Sequence, residues 1–334
     1  MINSMSSAVR LIRKNVRVAR CARVLGLIRT KPARAPLYAL FAALFMAGCS
    51  ASAPILEFPP FMEPETPGGM LVVGYYPSWA SEDDSYRVED IPAHLMTHIN
   101  VAFADVDSLS ATVKVGFPEW DFPSGGRRGR AGNFAVLRAL RARNPHLKLL
   151  ISVGGWTWSA HFTEAARSPE SRLEFAVSTA QFVVTHGFDG VDIDWEYPAS
   201  DGLQAGYARD TRNFTLLLSE LRAELDRVGE ERNKHYLLTI AAPGAAVMAE
   251  RFELAEIHRY LDWINVMTYD YAGYWSEKTN FNAPLYATSS PREPADSLLA
   301  RANVHDTIEV YLNGGVPASK IVLGVPFFGK SWKG

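Results

Sequence analysis

Short runs of β-branched and other apolar residues alternate along the chain with stretches whose apolar positions recur at helical spacing. Runs of four to nine such residues predict buried strands, and a spacing of three to four predicts helices that cover a sheet. The predicted strands are Leu71–Pro77, His98–Val106, Leu147–Trp156, Gly190–Pro198, Tyr236–Gly244, Trp263–Tyr271 and Ile321–Phe328.

Three amphipathic helices are predicted between these strands, each with one apolar side. They are Asn133–Arg143, with Phe134, Leu137 and Leu140; Ser171–His186, with Leu173, Ala176, Val177, Ala180 and Val184; and Asp210–Arg227, with Phe214, Leu217, Leu218, Leu221 and Leu225. Gly187 follows the second helix and is expected to cap it, because glycine accepts a left-handed backbone at no steric cost.

Strand, helix and strand in repeated order predict an α/β fold with a parallel sheet. Seven such units, with no Gly-rich phosphate loop after the first strand, favour a TIM-type (β/α)8 barrel over a doubly wound sheet. The eighth strand of a closed barrel is missing from this chain, unless part of 107–132 supplies it. We therefore expect Leu71–Pro77 and Ile321–Phe328 to present unpaired edges, which lowers stability.

Three acidic residues share one face of the fourth predicted strand. Asp192, Asp194 and Glu196 alternate with apolar residues, so their side chains point the same way and lie about 6.6 Å apart. Carboxylates this close repel one another, and a fold that accepts them protonates at least one, binds a metal ion or holds them for chemistry. Asp189 has the opposite parity and is expected to bond backbone at the strand start.

Glu196 stands last in this row, directly before Tyr197 and Pro198. The proline is expected to end the strand. Glu196 is therefore predicted at the carboxyl-terminal mouth of the sheet, where parallel α/β folds hold their active sites. A divalent-metal site is the alternative at this stage, since carboxylates suit Mg²⁺ and Ca²⁺.

Charge is distributed unevenly along the 334 residues, although the net charge is only −2. Residues 1–48 contain nine Lys and Arg and no acidic residue, which leaves 25 basic against 36 acidic residues in the remainder. An acidic body of this kind argues against a nucleic-acid partner. It does not argue against a neutral polymer.

The basic N-terminus leads into about ten apolar residues, 37–46, which are too few to span a bilayer and suit a secretory signal peptide. Small residues before Cys49 resemble a bacterial lipobox. We therefore expect 1–48 to be a lipoprotein signal peptide and Cys49 a lipidated N-terminus that anchors an exported protein to the cell envelope. The alternative is a plain secretory signal. The proline-rich segment 49–69 is expected to form a stiff tether before the catalytic region 70–334.

Six motifs along residues 70–334 resemble those of family 18 glycoside hydrolases, the chitinases and endo-N-acetylglucosaminidases. They are the acidic row Asp189-x-x-Asp192-x-Asp194-x-Glu196, then Gly74–Tyr76, His98–Phe103, Ser152–Trp156, Met267–Tyr271 with the following Ala272–Trp275, and Gly324–Gly329. The resemblance implies a (β/α)8 barrel and chitin-type substrates, and it implies no cofactor.

The resemblance also implies roles for four residues in hydrolysis with retention of configuration. Glu196 is expected to be the general acid, and the N-acetyl oxygen of the substrate the nucleophile, which gives an oxazolinium ion. Asp194 is expected to bind the acetamido N–H, Asp192 to share a proton with Asp194, and Tyr269 to hold the acetamido oxygen. With these motifs present, no metal ion is expected, and the eight histidines show no metal-ligand spacing.

Six further residues are assigned by the resemblance to the walls and floor of a sugar-binding cleft. They are Tyr75, Phe103, Trp156, Met267, Asp270 and Trp275. Aromatic residues of strands are more often core residues, and that alternative stays open for this group. Asp270 is expected to bind substrate or to support the acidic row.

Two other functions are compatible with the same sequence. One is a chitin- or glycan-binding lectin related to such enzymes, which the retained Glu196 disfavours. The other is an inactive fragment, because the family places a tryptophan of the eighth strand at the base of the sugar site. For that reason we expect weak or absent activity from the 334-residue form.

Overall fold

The computed structural model describes residues 69–82, 85–123, 131–276, 278–287 and 301–333. The predicted signal peptide 1–48, Cys49 and all of the tether 49–69 except Gly69 lie outside the described residues. Among the helices that are described, none combines the length and the apolar composition needed to cross a bilayer.

Eight strands form one sheet in the described part of the chain. They are β1 Val73–Pro77, β2 His98–Val106, β3 Val113–Val115, β4 Lys148–Gly154, β5 Gly190–Asp194, β6 Leu237–Pro243, β7 Trp263–Met267 and β8 Ile321–Leu323. Seven of them are parallel and follow the order β1-β2-β4-β5-β6-β7-β8, while β3 pairs antiparallel with β2.

Helices follow most of the parallel strands. They are α1 Pro118–Asp121, α2 Asn133–Arg143, α3 Phe162–Ala166, α4 Pro169–His186, α5 Asp210–Arg232, α6 Ala246–Ala249, α7 Leu254–Ile257 and α8 Val304–Asn313. Short 3₁₀ turns occupy Ser78–Ser81, Val88–Asp90, Ala93–Leu95 and Ala318–Lys320. The strand-and-helix repeat confirms the predicted TIM-type α/β architecture.

Seven strands of the barrel are present in sequential order, as predicted. Within the described residues, no ladder joins β1 to β8, so both are edges of the sheet. The described part of 107–132 contains a strand, β3, which pairs antiparallel on β2 and so does not fill the eighth position. Leu71 and Leu323 are 38% and 47% exposed near these edges.

Several strands end earlier than their apolar runs. β5 stops at Asp194 instead of Pro198, and β7 stops at Met267 instead of Tyr271. The ladder of β5 ends because its neighbour β4 turns away at Gly154 and Gly155, whose φ angles are +108° and +81°. Residues beyond such a turn have no strand partner, and the side chains past it stand on loops.

The predicted buried sides of α2 and α5 are confirmed, but that of α4 is partly wrong. Leu173 and Val177 are 48% and 45% exposed, whereas Phe175 and Phe182 are buried. Apolar residues lie on more than one side of this helix. The two phenylalanines bury the larger area, and they pack on Phe162 and Phe188 of the neighbouring layer with ring centroids 5.8 and 6.2 Å apart. Gly187 caps the helix at φ +76°, as expected.

Alternation along β5 separates the core from the acidic row. Val191 and Ile193 are fully buried on the helix side. Trp195 continues that side, where its ring stacks on Phe162 at 5.4 Å and meets Phe214 edge-on at 5.5 Å. The intervening acidic residues therefore point into the barrel.

Asp189 anchors the start of β5, which confirms its expected structural place. Its Oδ2 accepts from Leu149 N–H at 3.0 Å and from Arg141 Nη1 at 2.8 Å, and its Oδ1 accepts from Lys234 Nζ at 2.7 Å. Burial alone would raise the pKa of Asp189, but these hydrogen bonds and charges outweigh it and hold the pKa below the ordinary value.

Replacing Asp189 by asparagine is expected to destabilise the protein by roughly 2 kcal/mol at pH 7, because two cations at a buried site lose their partner. The amide oxygen still accepts from Leu149 N–H, so the change isolates the charge. Since the folded pKa is lowered, this stability is complete above the ordinary carboxyl pKa and is lost as pH falls through the folded pKa. Urea unfolding of wild type and variant at pH 7 and pH 2.5 measures this difference in the free energy of unfolding.

Asp226→Asn is the matched control, since Asp226 is 53% exposed and pairs with Arg222 within α5. Because Asp226 is largely open to solvent, this pair is expected to contribute less than about 1 kcal/mol. An equal decrease in the free energy of unfolding in Asp189→Asn and Asp226→Asn would contradict an anchoring role for Asp189.

Candidate active site

Asp192 lies at the centre of the site and is completely buried. Tyr75 Oη and Ser152 Oγ donate hydrogen bonds to its Oδ2 over 2.9 and 2.8 Å. Thr239 Oγ1 and Asn265 Nδ2 donate to its Oδ1 over 2.6 and 3.1 Å. Four strands, β1, β4, β6 and β7, therefore supply one donor each to a carboxyl group on β5.

The strand register explains why these donors converge. Ser152 and Thr239 are the direct neighbours of Asp192 on β4 and β6, so all three side chains point inward at one level of the barrel. Burial raises the pKa of Asp192, and the four hydrogen bonds partly offset that rise. Both oxygens of Asp192 are occupied by neutral donors, so the residue is fixed in orientation.

Asp194 lies one step nearer the mouth and has a different environment. It is 5% exposed, and its Oδ1 is buried without a hydrogen-bond partner among the described residues. Burial and the charges of Glu196 and Asp192 raise its pKa well above the ordinary value. Burial therefore disfavours the charged form of Asp194. Within the described part of the chain, no hydrogen bond joins it to Asp192, so the predicted sharing of a proton stays a prediction.

Glu196 stands two residues beyond the end of β5 and is half-buried. Burial, with a smaller contribution from the charge of Asp270, raises its pKa to about 7, and a hydrogen bond with Tyr197 partly opposes the rise. A carboxyl group with this pKa holds a proton in a large fraction of molecules at neutral pH. It can donate that proton and later take one back, as a general acid and base must.

Tyr269 follows the end of β7 on the loop across from Glu196, and its ring is half-buried. Burial and the charges of Asp194 and Glu196 raise its pKa, so the hydroxyl stays protonated. Its ring meets Phe328 edge-on at 5.8 Å. The structure thus brings all four predicted catalytic residues to the carboxyl-terminal mouth of one sheet.

The predicted sugar-binding residues surround this mouth, and several expose much of their surface. Tyr75, Trp156 and Trp275 are 42%, 43% and 54% exposed. Large aromatic side chains at such exposure are not part of the core, which disfavours the alternative left open by the sequence for these three. Phe103 is half-buried against Trp79, with ring centroids 6.2 Å apart.

Met267 and Asp270 belong to the end of β7 and the loop after it. Met267 is half-buried. Asp270 is exposed, has a φ of +60° and pairs with Lys330 Nζ. Lys330 also donates to Ala272 O at 2.9 Å and lies 4.7 Å from the Trp275 ring centroid. The charge of Asp270 thus contributes to the raised pKa of Glu196, and its side chain is also exposed to solvent.

Sequence reasoning missed several residues that build this site. Ser152, Thr239 and Asn265 hold Asp192, and Lys330 pairs with Asp270. The inward parity of polar residues in β4, β6 and β7 was the available indication for the first three. No sequence pattern indicated Lys330, because its partner lies 60 residues earlier in the chain.

A cavity of about 180 Å³ adjoins Glu196 on the side of α3. It is lined by Ser159, Ala160, Thr163, Glu164, Trp195, Glu196, Tyr197, Gln204, Ala205 and Tyr207. Most of the lining is polar, and it extends from the loop after β4 to the loop after β5.

The chemistry of the acidic row suits proton transfer better than metal binding. A divalent cation requires ionised oxygens that face it, whereas Asp192 faces hydroxyl and amide donors, and burial raises the pKa of Asp194. Among the described residues, no group of three or more His, Cys, Asp and Glu side chains converges as metal ligands do.

Replacing Glu196 by glutamine is expected to stabilise the protein at pH 8. A carboxyl group whose folded pKa is raised from 4.5 to about 7 costs stability as pH rises from the unfolded to the folded pKa, on the order of 3 kcal/mol in total. The variant should melt higher than wild type at pH 8 and equally at pH 4. Differential scanning calorimetry between pH 4 and pH 8 measures the difference in melting temperature between the variant and wild type.

Glu174→Gln, on the exposed face of α4, provides the control for loss of a carboxyl group. Its melting temperature is expected to follow wild type at both pH values. A Glu196→Gln curve that also follows wild type would show that Glu196 titrates normally.

Comparison with known proteins gives one consistent family. The model of glycosyl hydrolases family 18 matches residues 71–334. Chitinase A1 of Niallia circulans is 40% identical over 308 residues, covering 79% of this chain and 43% of the relative. Chitinase 1 of Aphanocladium album is 38% identical over 269 residues, covering 78% of this chain and 60% of the relative. The chain thus spans about half the length of these curated relatives.

Solved structures agree with the sequence relatives. Chitinase ChiA74 from Bacillus thuringiensis matches with a TM-score of 0.69 and 38% identity, over 80% of this chain and 48% of that chain. A group IV chitinase of Ostrinia furnacalis in complex with allosamidin matches with a TM-score of 0.67 and 35% identity, over 77% and 66%. With the acidic row and the barrel topology in place, these matches establish that the chain belongs to glycosyl hydrolases family 18.

Proposed function

We propose that this protein hydrolyses β-1,4 linkages between N-acetylglucosamine units of chitin or its oligosaccharides, with retention of configuration. The observation that carries the proposal is a half-buried Glu196 whose pKa is raised to about 7 beside the buried carboxyl group of Asp194. The named chitinases among the relatives support chitin as the substrate class.

Glu196 is the general acid in this mechanism. Its proton passes to the glycosidic oxygen, and the bond between that oxygen and the anomeric carbon breaks as the leaving sugar takes the electron pair. The surrounding burial keeps the proton available near neutrality. Tyr269 and Asp194 offer hydrogen-bonding groups beside Glu196.

The other carboxyl groups of the described site are poor nucleophiles, which favours a nucleophile supplied by the substrate. Asp192 accepts four hydrogen bonds in a closed environment, Asp194 is buried with its pKa raised, and Asp270 pairs with Lys330. The acetamido oxygen of the sugar therefore attacks the anomeric carbon and forms an oxazolinium ion. Asp194 binds the acetamido N–H through its unpartnered oxygen, and Tyr269 holds the acetamido oxygen.

Water completes the reaction. Glu196, now ionised, takes a proton from water as the water oxygen attacks the anomeric carbon and the oxazolinium ring opens. Two displacements at one carbon give a product with the starting configuration. Tyr75, Phe103, Trp156, Met267 and Trp275 contact the sugar rings in this proposal. The exposure of Tyr75, Trp156 and Trp275 around the mouth supports it.

Glu196→Gln is expected to abolish hydrolysis of N-acetylglucosamine oligomers, by at least about 10³-fold in kcat, and to leave binding nearly unchanged. The amide keeps the shape of the side chain, but its N–H protons are too weakly acidic to be transferred to the glycosidic oxygen. Product release by chromatography and binding by calorimetry are the measurements. Glu164→Gln, which removes an exposed carboxyl group from the adjoining cavity, is the control and should keep wild-type turnover.

Turnover above a few per cent in Glu196→Gln would exclude Glu196 as the acid. Oligomers that bind to wild type and are never cut would instead indicate a lectin. An inactive, non-binding wild type would indicate a fragment without function.

Substrate assistance requires the acetamido group, so oligomers of plain glucose or of fully deacetylated glucosamine are expected to remain intact. The β-anomer should appear first when the N-acetylated oligomer is followed by proton NMR. Cleavage of cellulose oligomers at a comparable rate would contradict the mechanism.

We also propose that the protein is exported and anchored in the bacterial cell envelope by lipid on Cys49. The basic segment, the short apolar run and the small residues before Cys49 support this. A diacylglyceryl cysteine carries two acyl chains, which is enough for stable membrane attachment.

Cys49→Ser is expected to move the protein from the membrane fraction to the soluble fraction, or to block its processing. Cys21→Ser is the matched control, because Cys21 is the other of the two cysteines in the sequence and lies within the proposed signal peptide. Fractionation after metabolic labelling with a fatty acid measures both variants. Equal labelling of Cys49→Ser and wild type would contradict the anchor.

A further inference from the structure

The backbone at Glu196 lacks the support that the rest of the acidic row receives from the sheet. The ladder between β4 and β5 ends with Gly154 beside Asp194. Gly155 N–H still donates to Asp194 O at 2.8 Å. Beyond that contact, no strand partner remains among the described residues for the N–H of Glu196.

The hydroxyl of Ser159 takes the place of that missing partner. Glu196 N–H donates to Ser159 Oγ over 2.8 Å. The single proton of the hydroxyl is shared between Gly155 O at 2.9 Å and Asp194 O at 3.2 Å. Asp194 O and Gly155 O also accept from Gly155 N–H and Trp158 N–H. Ser159 is only 4% exposed, and its hydroxyl is the partner of Glu196 N–H at this buried position.

The turn after β4 brings this hydroxyl over the end of β5. Gly154 and Gly155 adopt φ angles of +108° and +81°, which other residues seldom adopt. A Cβ on Gly154 would lie 2.3 Å from Asp194 O, so only glycine allows this close approach. The chain then reverses, and Ser159 reaches the backbone of β5 within four residues.

We propose that Ser159 is a positioning residue that fixes the backbone of Glu196 through its side-chain hydroxyl and so aims the carboxyl group at the glycosidic oxygen. This inference rests on the proposed function of Glu196. Proton transfer depends on donor and acceptor geometry within a few tenths of an ångström, and a loop without a strand partner needs another constraint to hold it. Ser159 supplies that constraint from outside the barrel, without touching substrate.

Removal of the hydroxyl is not expected to unfold the protein. The cavity of about 180 Å³ is lined by both Ser159 and Glu196. Water from it can replace the hydroxyl as a partner for Glu196 N–H. The expected consequence is a mobile, more hydrated Glu196 in a protein that keeps its fold.

Ser159→Thr and Ser159→Val form the decisive pair, because the two new side chains have nearly the same shape and differ in the hydroxyl. Thr is expected to keep kcat within about threefold of wild type. Val should lower kcat by roughly 10- to 100-fold with KM changed less than about threefold. The measurements are steady-state kinetics on an N-acetylglucosamine oligomer with the full chain.

The pH profile gives a second readout that general destabilisation would not move. Glu196 is faced by Asp194 on β5, by Tyr269 and Asp270 after β7, and by its neighbour Tyr197. These groups stay in place in both variants, and only hydration changes. Since burial raises the pKa of Glu196, added water should lower it, and the alkaline limb of kcat in Ser159→Val should move to lower pH.

Ser178 provides the control for loss of a similar hydroxyl. Its Oγ accepts from Val113 N–H at 3.1 Å and donates to Phe175 O at 3.0 Å, and neither partner belongs to the acidic row. Ser178→Thr and Ser178→Val should share the same kcat and the same pH profile.

Amide hydrogen exchange tests the contact without relying on activity. The Glu196 amide should exchange at least about tenfold faster in Ser159→Val than in Ser159→Thr, while the amides of β5 stay equally protected in both. Equal exchange at Glu196, or equal kcat in an active pair, would overturn the positioning role. Faster exchange in a protein that never cleaves chitin oligomers would keep the contact and reject the proposed function instead.

Discussion

Burial of three carboxyl groups in one row inside a sheet is the constraint on which the site depends. For the first of them, Asp192, the loss of contact with water is compensated by hydrogen bonds from four donors: Tyr75, Ser152, Thr239 and Asn265. Each donor comes from a different strand, and only a parallel sheet in this order brings those strands around β5. The polar interior and the barrel topology therefore require one another: the donors make the burial tolerable, and the sheet places the donors.

The remaining two acids pass from full to partial burial along the same row, and their chemistry follows. Asp194 is buried with an unpartnered oxygen, which raises its pKa, whereas Glu196 reaches the mouth and has a pKa of about 7. Such an arrangement lowers the stability of the folded protein at neutral pH, because it keeps groups neutral that would ionise in water. Asp189 at the opposite end of β5 contributes stability through Arg141 and Lys234, and so offsets part of that cost.

The sequence predicted the acidic row well because parity along a strand is a local property. It predicted the partners of Asp192 poorly, because Thr239 and Asn265 lie 47 and 73 residues away in the chain. It also misplaced the buried side of α4, where Leu173 is exposed and Phe175 is buried. Both errors concern which of several possible neighbours a residue meets, and that choice is made by packing between elements.

Order and direction of the strands, the alternation that turns Asp192, Asp194 and Glu196 inward, and the family to which the motifs belong were all determined by the sequence alone. Tertiary structure decided where each strand stops and what happens beyond it. A strand continues only while a neighbour offers hydrogen bonds, and β4 turns away at Gly154 although the apolar pattern runs on. Glu196 therefore stands on a loop held by a serine hydroxyl, a contact that depends on two segments meeting in space.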